Sequence, residues 1–480
     1  MLFLILWRLD LVFNSVNLRR QNSKDLENMN IEVVILAAGK GSRMFSASPK
    51  VLQKLAGISL ISRVVKTAQS VGARKPIVVT GYEAKQVEKH LHSEKISFVK
   101  QKEQLGTAHA VSVAVPKLKT DSIVVILYGD VPCIEVETIK VLISKVSSDA
   151  IGLLTVNIDS PEGYGRIVRD SNNSVQEIVE QKDASPDQLR INEVNTGVIA
   201  LTDAQLKFLL PKINNQNAQK EYYLTDIIKL ARTIGLEVKT VSPSQLIEVQ
   251  GVNDKKQLGN LERSYQLIQA QNLMDSGTTI ADPNRFDQRG TLSAGADCFI
   301  DINCIFEGEN VLGSEVHIES NCLIIDSKIA DGARIKANSI IEKSHVHENT
   351  TIGPYARLRP DTKVMPNAKV GNFVEIKNSM IGDGSKVNHL AYVGDAILER
   401  DVNIGAGTIT CNYDGTNKHK TSIGENVFIG SNSTLVAPVH IKDGAFVGAG
   451  STITTDVPDN CLGIGRSKQK NIENWQRPKK

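Results

Sequence analysis

Ile423, Ile429, Leu435, Ile441, Val447 and Ile453 recur every six residues, and no other feature of the chain narrows its fold so far. The same frame carries Ile300, Phe306, Leu312 and Ile318, returns at Ile329, Ile335 and Ile341, and returns again at Leu358, Val364, Val370 and Ile376. Four places on, the partner is usually small or branched, as at Val316, Ala333, Ser339, Ala368, Val374, Val427, Ser433, Val439, Ala445 and Ser451. Six residues suit one short strand and a turn, and so small a unit buries its apolar side chain only by stacking on copies of itself. Three units close a triangular coil, so residues eighteen apart should lie one above the other at the ~4.8 Å spacing of neighbouring strands. The C-terminal half is therefore expected to be a parallel β-helix. Cys304 and Cys322 are eighteen apart in the small slot and are read as stacked apolar fillers, not a disulfide.

A chain of 480 residues exceeds one ordinary core, so two or three domains are expected. The charge is nearly balanced, with 56 Lys and Arg against 53 Asp and Glu, and the one basic block is the tail Arg477-Pro478-Lys479-Lys480. Nucleic-acid binding is not expected, whereas small anionic substrates need only local cations. Six cysteines without a CxxC pair or a His/Cys cluster indicate neither zinc nor a disulfide framework, and fit a reduced, cytoplasmic protein. Residues 1–28 open on Met1-Leu2-Phe3-Leu4-Ile5-Leu6-Trp7, a run too short to span a bilayer and without a preceding basic region. They are read as an extension outside the fold, with no stable membrane insertion. A weak membrane-surface anchor is the alternative.

From 31 to about 250 the chain alternates apolar β-branched runs with helical patterns. Strands are expected at 32–37, 76–80, 123–128 and 151–156, and helices near 60–71, 83–92, 106–115 and 136–146. This alternation favours a mostly parallel sheet covered on both faces, with ligands at the carboxyl ends of its strands. The first strand empties into Ala37-Ala38-Gly39-Lys40-Gly41-Ser42-Arg43-Met44, closed by Pro49-Lys50. Glycines let backbone N–H groups approach phosphate oxygens and the cations offset their charge, as a nucleoside triphosphate requires. No Gly-Lys-Ser/Thr follows a four-residue spacer, so this is not a Walker motif. Asp130 ends a buried strand beside that loop, where it either helps to hold Mg²⁺ or caps the turn. Gln101 to Ala108 reads as a loop entering a helix, suited to meeting a base edge. Leu258, Leu261, Tyr265 and Ile268 predict one linker helix over 254–275, between a nucleotide-binding domain at 29–253 and the repeat domain with its tail at 276–480.

Leu36 to Lys50 resembles the LxxGxGxRM…PK signature of sugar-phosphate nucleotidylyltransferases. With Tyr128-Gly129-Asp130, Gly163-Tyr164-Gly165-Arg166, Asn195-Thr196-Gly197 and the hexads following in order, the chain from about 31 onward resembles the bacterial bifunctional N-acetylglucosamine-1-phosphate uridylyltransferase/glucosamine-1-phosphate acetyltransferase family. The resemblance implies a Rossmann-like α/β nucleotidyltransferase domain followed by a left-handed parallel β-helix of hexapeptide repeats that assembles as a homotrimer. It implies acetyl transfer from acetyl-CoA to glucosamine-1-phosphate, then uridylyl transfer from UTP with release of pyrophosphate, feeding cell-wall precursors. It places the nucleotide and its sugar at Leu36, Ala37, Ala38, Gly39, Lys50, Gln101, Gly106, Thr107, Tyr128, Gly129, Asp130, Gly165, Glu180, Asn195 and Asn253. Arg43 and Lys50 would be catalytic, and Mg²⁺ would lie between Asp130 and Asn253.

The hexad frame breaks at Asn388-His389-Leu390-Ala391-Tyr392, and a polar loop is thrown out at 411–420. His389 alone reads as a solvated turn histidine, but Arg357, Arg359 and Lys377 upstream could bind a sugar phosphate. By resemblance His389 is the general base for the glucosamine amine, a role for a group that titrates near neutrality. Arg359, Lys377, Tyr392 and Asn403 would hold the sugar phosphate. Ala406, Asn412, Tyr413, Ser431, Ala449 and Arg466 would meet acetyl-CoA. Two other readings stay open: nucleotidyl transfer alone on a trimerising β-helix, and a scaffold with neither activity.

Overall fold

The computed structural model describes residues 30–478, and the expected extension at 1–28 lies outside them. The chain divides after Glu262 into two units, each with its own core.

In the first unit the central strands are β1 (Asn30–Ala37), β2 (Ile77–Thr80), β3 (Ser97–Lys100), β4 (Ser122–Tyr128) and β5 (Ala150–Asn157). A hairpin of β6 (Arg166–Arg169) and β7 (Val175–Val179) follows, then β8 (Glu193–Thr202) and β9 (Glu237–Val241). The sheet order is β9-β5-β8-β4-β1-β2-β3, with the hairpin branching from β8. β1 lies parallel to both β2 and β4, and the chain progresses outward to either side of it, so the order of connections reverses at β1 and a crevice opens beyond its carboxyl end. Along β1, Val34 and Leu36 enter one apolar layer while Val33 and Ile35 enter the other. That is why the strand is an unbroken apolar run and not an alternating one.

Helices cover both faces, as expected. α1 (Leu60–Val71), α2 (Ala84–His90) and α4 (Val136–Ile143) bury side chains in one layer. α3 (Thr107–Ser112), α5 (Asp203–Leu209) and α6 (Asp226–Thr233) serve the other. The helix expected at 106–115 is shorter, because Pro116 turns its end into a 3₁₀ segment. The central pairings are mostly parallel, as expected, with one strand as the exception. β8 runs antiparallel to both β4 and β5, so the sheet is mixed. Neither that strand nor the hairpin was anticipated, since their half-polar sequences lack the continuous apolar run of a buried parallel strand. α7 (Lys255–Asp275) corresponds to the helix expected at 254–275.

The second unit is a parallel β-helix, its three faces forming an eleven-stranded and a seventeen-stranded sheet. Hexad residues stack in register: Ile300 on Ile318, then Ile318 on Ile335, one residue short of eighteen. Every apolar hexad position named above is buried, and so is each small partner. Cys304 and Cys322 are buried in neighbouring coils as free thiols. At the corners the backbone enters the left-handed region, where Asn303, Asn321 and Asn338 are well suited. At the next coils of that corner stand Tyr355, Phe373 and Leu390.

Candidate active sites

A cavity of about 550 Å³ opens at the carboxyl ends of β1 and β4. Leu36, Ala37, Ala38, Gly39, Arg43, Lys50, Gln101, Gly106, Thr107, Tyr128, Asp130 and Asn253 all line it. Its walls are built from close backbone approaches. Gly41 adopts a left-handed turn and a Cβ there would lie 2.7 Å from Lys50 Cβ, so the glycine lets the lysine stem fold against the loop. Gly129 donates to Leu36 O at 2.9 Å, with no room for a side chain against Ile61.

Lys50 is the centre of the site. Its ammonium donates to the Asp130 carboxylate and, at 3.1 Å, to Asn253 Oδ1. The point expected for a metal is therefore a cation position, occupied in this state by the lysine. Among the described residues no group of three His, Cys, Asp or Glu side chains could hold a metal by itself. One carboxylate and one amide oxygen still suit Mg²⁺, which draws its remaining ligands from phosphates and water. Gln101 is buried, and its amide nitrogen reaches both Gly106 O and His109 Nδ1. Gln104, unforeseen, ties its amide to Ala38 O at 2.9 Å and so fixes the first turn of the phosphate loop.

Four expected residues lie beside the cavity rather than in its wall. Gly129 is under the floor. Asn195 borders a small void next to Tyr128 and Thr225. Gly165 packs on Ile178 and Glu180, and Glu180 accepts from Thr225 Oγ1 at 3.0 Å. Burial pushes the Glu180 carboxyl up, with Asp226 and Asp183 adding to it and the Thr225 hydroxyl opposing. Burial, then Glu180 and Asp130, also push the Tyr128 phenol up.

On the β-helix, Asn372 and His389 are register partners, and His389 Nδ1 meets Asn372 Oδ1 at 2.7 Å. An amide oxygen only accepts, so Nδ1 carries a proton, and in the neutral ring the lone pair lies on Nε2. Gly407 N bonds to His389 O, Asn432 N to Ala406 O and Gly450 N to Ser431 O. His389, Ala406, Ser431 and Ala449 thus form one column at one corner, with Arg466 Cδ within 4 Å of where a Gly450 side chain would start.

Arg359 pairs with Glu375 at 2.9 Å and Lys377 with Asp395 at 3.7 Å, while Tyr392 is the register partner of Glu375. Asn412 donates to Asp395 at the root of the polar loop, and Tyr413 stands exposed beyond it. Asn403 belongs to the other sheet, paired with Lys386, and one chain does not bring it onto the face of Lys377 and Tyr392. Glu375, Asp395 and Asn372 were not anticipated. In sequence they are ordinary polar turn residues, and only the coil-to-coil stacking reveals their partners.

A strand-loop-lysine cavity on a doubly wound sheet defines a nucleotidyltransferase unit, and the hexad coils define a transferase of the hexapeptide class. Family models agree: a MobA-like NTP transferase domain matches residues 33–165, a bacterial transferase hexapeptide (six repeats) matches 420–455, and a GMPPB C-terminal domain matches 340–414. The chain is 53% identical to the bifunctional protein GlmU of Marinobacter nauticus over 94% of its own length and 99% of the relative's. For the same protein of Stutzerimonas stutzeri the values are 52%, 94% and 100%, and for that of Acinetobacter baylyi 51%, 94% and 99%. The chain belongs to the bifunctional GlmU family. It is an enzyme of two activities, uridylyl transfer and acetyl transfer, that together make UDP-N-acetylglucosamine.

Proposed function

We propose that the β-helix acetylates glucosamine-1-phosphate first and that the α/β unit then uridylylates the product. Both reactants of the second step are anions, so positioning and charge neutralisation should carry most of the rate. Lys50 supports this best. Its ammonium already sits on two oxygen ligands at the mouth of the phosphate loop, and a triphosphate would draw it off Asp130 and Asn253 toward the α-phosphoryl group. Asp130 and Asn253 would then hold Mg²⁺, which when bound neutralises phosphate charge. Arg43, exposed at the rim, would meet the leaving pyrophosphate.

In the β-helix, His389 Nε2 would remove the proton that the amine loses as it attacks the thioester carbonyl. The small residues Ala406, Ser431 and Ala449 continue the column from His389 over three coil steps, about 14 Å, and the extended arm of acetyl-CoA would lie along them. Arg359, Lys377 and Tyr392 would hold the sugar phosphate.

A trimer is part of this reading. Asn403 lies on a different face from Lys377, so a site that uses both needs a second copy of the chain. Tyr355, Phe373 and Leu390 project beside His389, between 52% and 64% exposed, with the two aromatic rings stacked at 5.2 Å. Large apolar residues in the left-handed region cost strain, which burial against a neighbour would offset. Six unpaired cysteines fit a cytoplasmic enzyme.

The test supplies the full chain with glucosamine-1-phosphate, acetyl-CoA, UTP and Mg²⁺ and follows free CoA thiol and pyrophosphate separately. Thiol release followed by pyrophosphate is expected. Pyrophosphate only when N-acetylglucosamine-1-phosphate is added, with no thiol release, would leave a uridylyltransferase on a silent β-helix.

A further inference from the structure

Asp395 is a buried carboxylate that neither proposed reaction step uses. It occupies a left-handed corner, and the three side chains around it come from Lys377 and Asn378 on one coil and from Asn412 at the root of the polar loop. Asn378, one coil below at the same corner, donates to Oδ1 at 2.5 Å. Oδ2 accepts from Asn412 and also faces the Lys377 ammonium at 3.7 Å. Burial alone would raise this carboxyl; the amides of Asn378 and Asn412, with Lys377 and Lys418, outweigh it and hold it below the usual carboxylate range. Asp395 is therefore an anion, and one of its oxygens is shared between two groups with separate duties. Lys377 is assigned above to the sugar phosphate. Asn412 is the root of the 411–420 loop assigned to acetyl-CoA, where His419 N closes the loop on Asn412 O at 2.9 Å.

We propose that Asp395 is a positioning residue that couples the two substrate sites of acetyl transfer, so that the sugar phosphate tightens the loop that receives acetyl-CoA. The inference rests on the acetyltransferase roles proposed for Lys377 and Asn412. A phosphate competes for the Lys377 ammonium and draws it away from Oδ2. The charge of that oxygen then falls on the Asn412 amide, and the carboxylate has to be neutralised from the loop itself, where Lys418 already acts on it. Charge-assisted hydrogen bonds are the stronger kind, and a buried carboxylate that loses one cation holds its remaining donors harder. Coupling between sites is reciprocal, so CoA should tighten the sugar phosphate by the same factor.

The experiment is calorimetric titration of CoA into the full chain with and without saturating glucosamine-1-phosphate, a pair that cannot react. In the unmodified protein glucosamine-1-phosphate should tighten CoA by about fivefold or more. Asp395→Asn keeps the shape of the side chain and removes its charge, and should bring that factor to about one. Asn378→Ala removes the other partner of Asp395 and leaves Oδ2 shared, so the factor should persist. Sedimentation as the same assembly as the unmodified protein, with a cooperative thermal melt, shows that the β-helix is folded in both variants. Coupling retained in Asp395→Asn, or lost equally in Asn378→Ala, overturns the inference and makes Asp395 a structural corner. No acetyl transfer by the unmodified protein would instead sink the functional reading on which the inference rests.

Discussion

The role proposed for Lys50 asks one ammonium for two tasks that it cannot perform together: holding Asp130 and Asn253, as it does in this state, and meeting a phosphoryl group. Removing Lys50 leaves the two oxygen ligands Asp130 and Asn253 without the ammonium that sits on them. Lys50→Ala should lower the rate of pyrophosphate release by about a hundredfold or more while thiol release continues. His389→Ala should do the reverse, because His389 and its Asn372 partner lie in the other unit. Loss of both activities in either variant, with assembly intact, would refute two independent sites. Glu180 permits a prediction in pH. Unfolded, it titrates near ~4.3, and in the fold burial raises it. Between those values the native state holds a proton that the unfolded chain has released, so stability falls as pH rises through the window. Glu180→Gln keeps an acceptor for Thr225 and removes that cost. Thermal melts should show a gain in Tm over the unmodified protein that is small at pH 4 and larger at pH 7. An equal difference at both pH values would contradict the account.

At the scale of elements, the wall of the nucleotide cavity depends on where α3 begins. Gly106 has φ of 118°, and a Cβ there would lie 2.5 Å from Tyr222 O. That contact is part of a clamp, since Tyr222 N bonds to Leu105 O and Ala108 N to Tyr222 O. Gly106→Ala therefore meets backbone that cannot yield locally, and should cost about 1–3 kcal/mol and raise KM for UTP. Denaturant melts and initial rates measure both. The sequence marked this glycine as part of a loop entering a helix and, by resemblance, as a nucleotide contact. What makes it necessary is a backbone segment more than a hundred positions away. By contrast, strands β1 and β4 were legible without any tertiary information, because a strand buried on both faces must be apolar throughout. β8 and the β6–β7 hairpin, half-polar and antiparallel, carried no such signal.

For the whole molecule, the corner ladder beside His389 is the feature that a single chain leaves unexplained. Phe373→Asp puts a charge in its middle without touching the buried hexad positions. Sedimentation should show smaller species, with acetyl transfer lost and uridylyl transfer kept. A trimer that survives the substitution would place the interface elsewhere.

The six-residue period determined the β-helix, because a strand of two or three residues has no stable arrangement except in a stack of its own kind. The apolar strand and its glycine-lysine loop determined the nucleotide-binding end of the first unit in the same way, as local chemistry at short range. Tertiary structure decided what those signals could not hold. It set Lys50 on Asp130 and Asn253, His389 on Asn372, and Asp395 among Asn378, Asn412 and Lys377. Each of these contacts joins residues a coil or more apart. The side-chain pattern along a strand reports which face is buried, whereas the partner of a polar group depends on register between segments, and register exists only once the chain has folded.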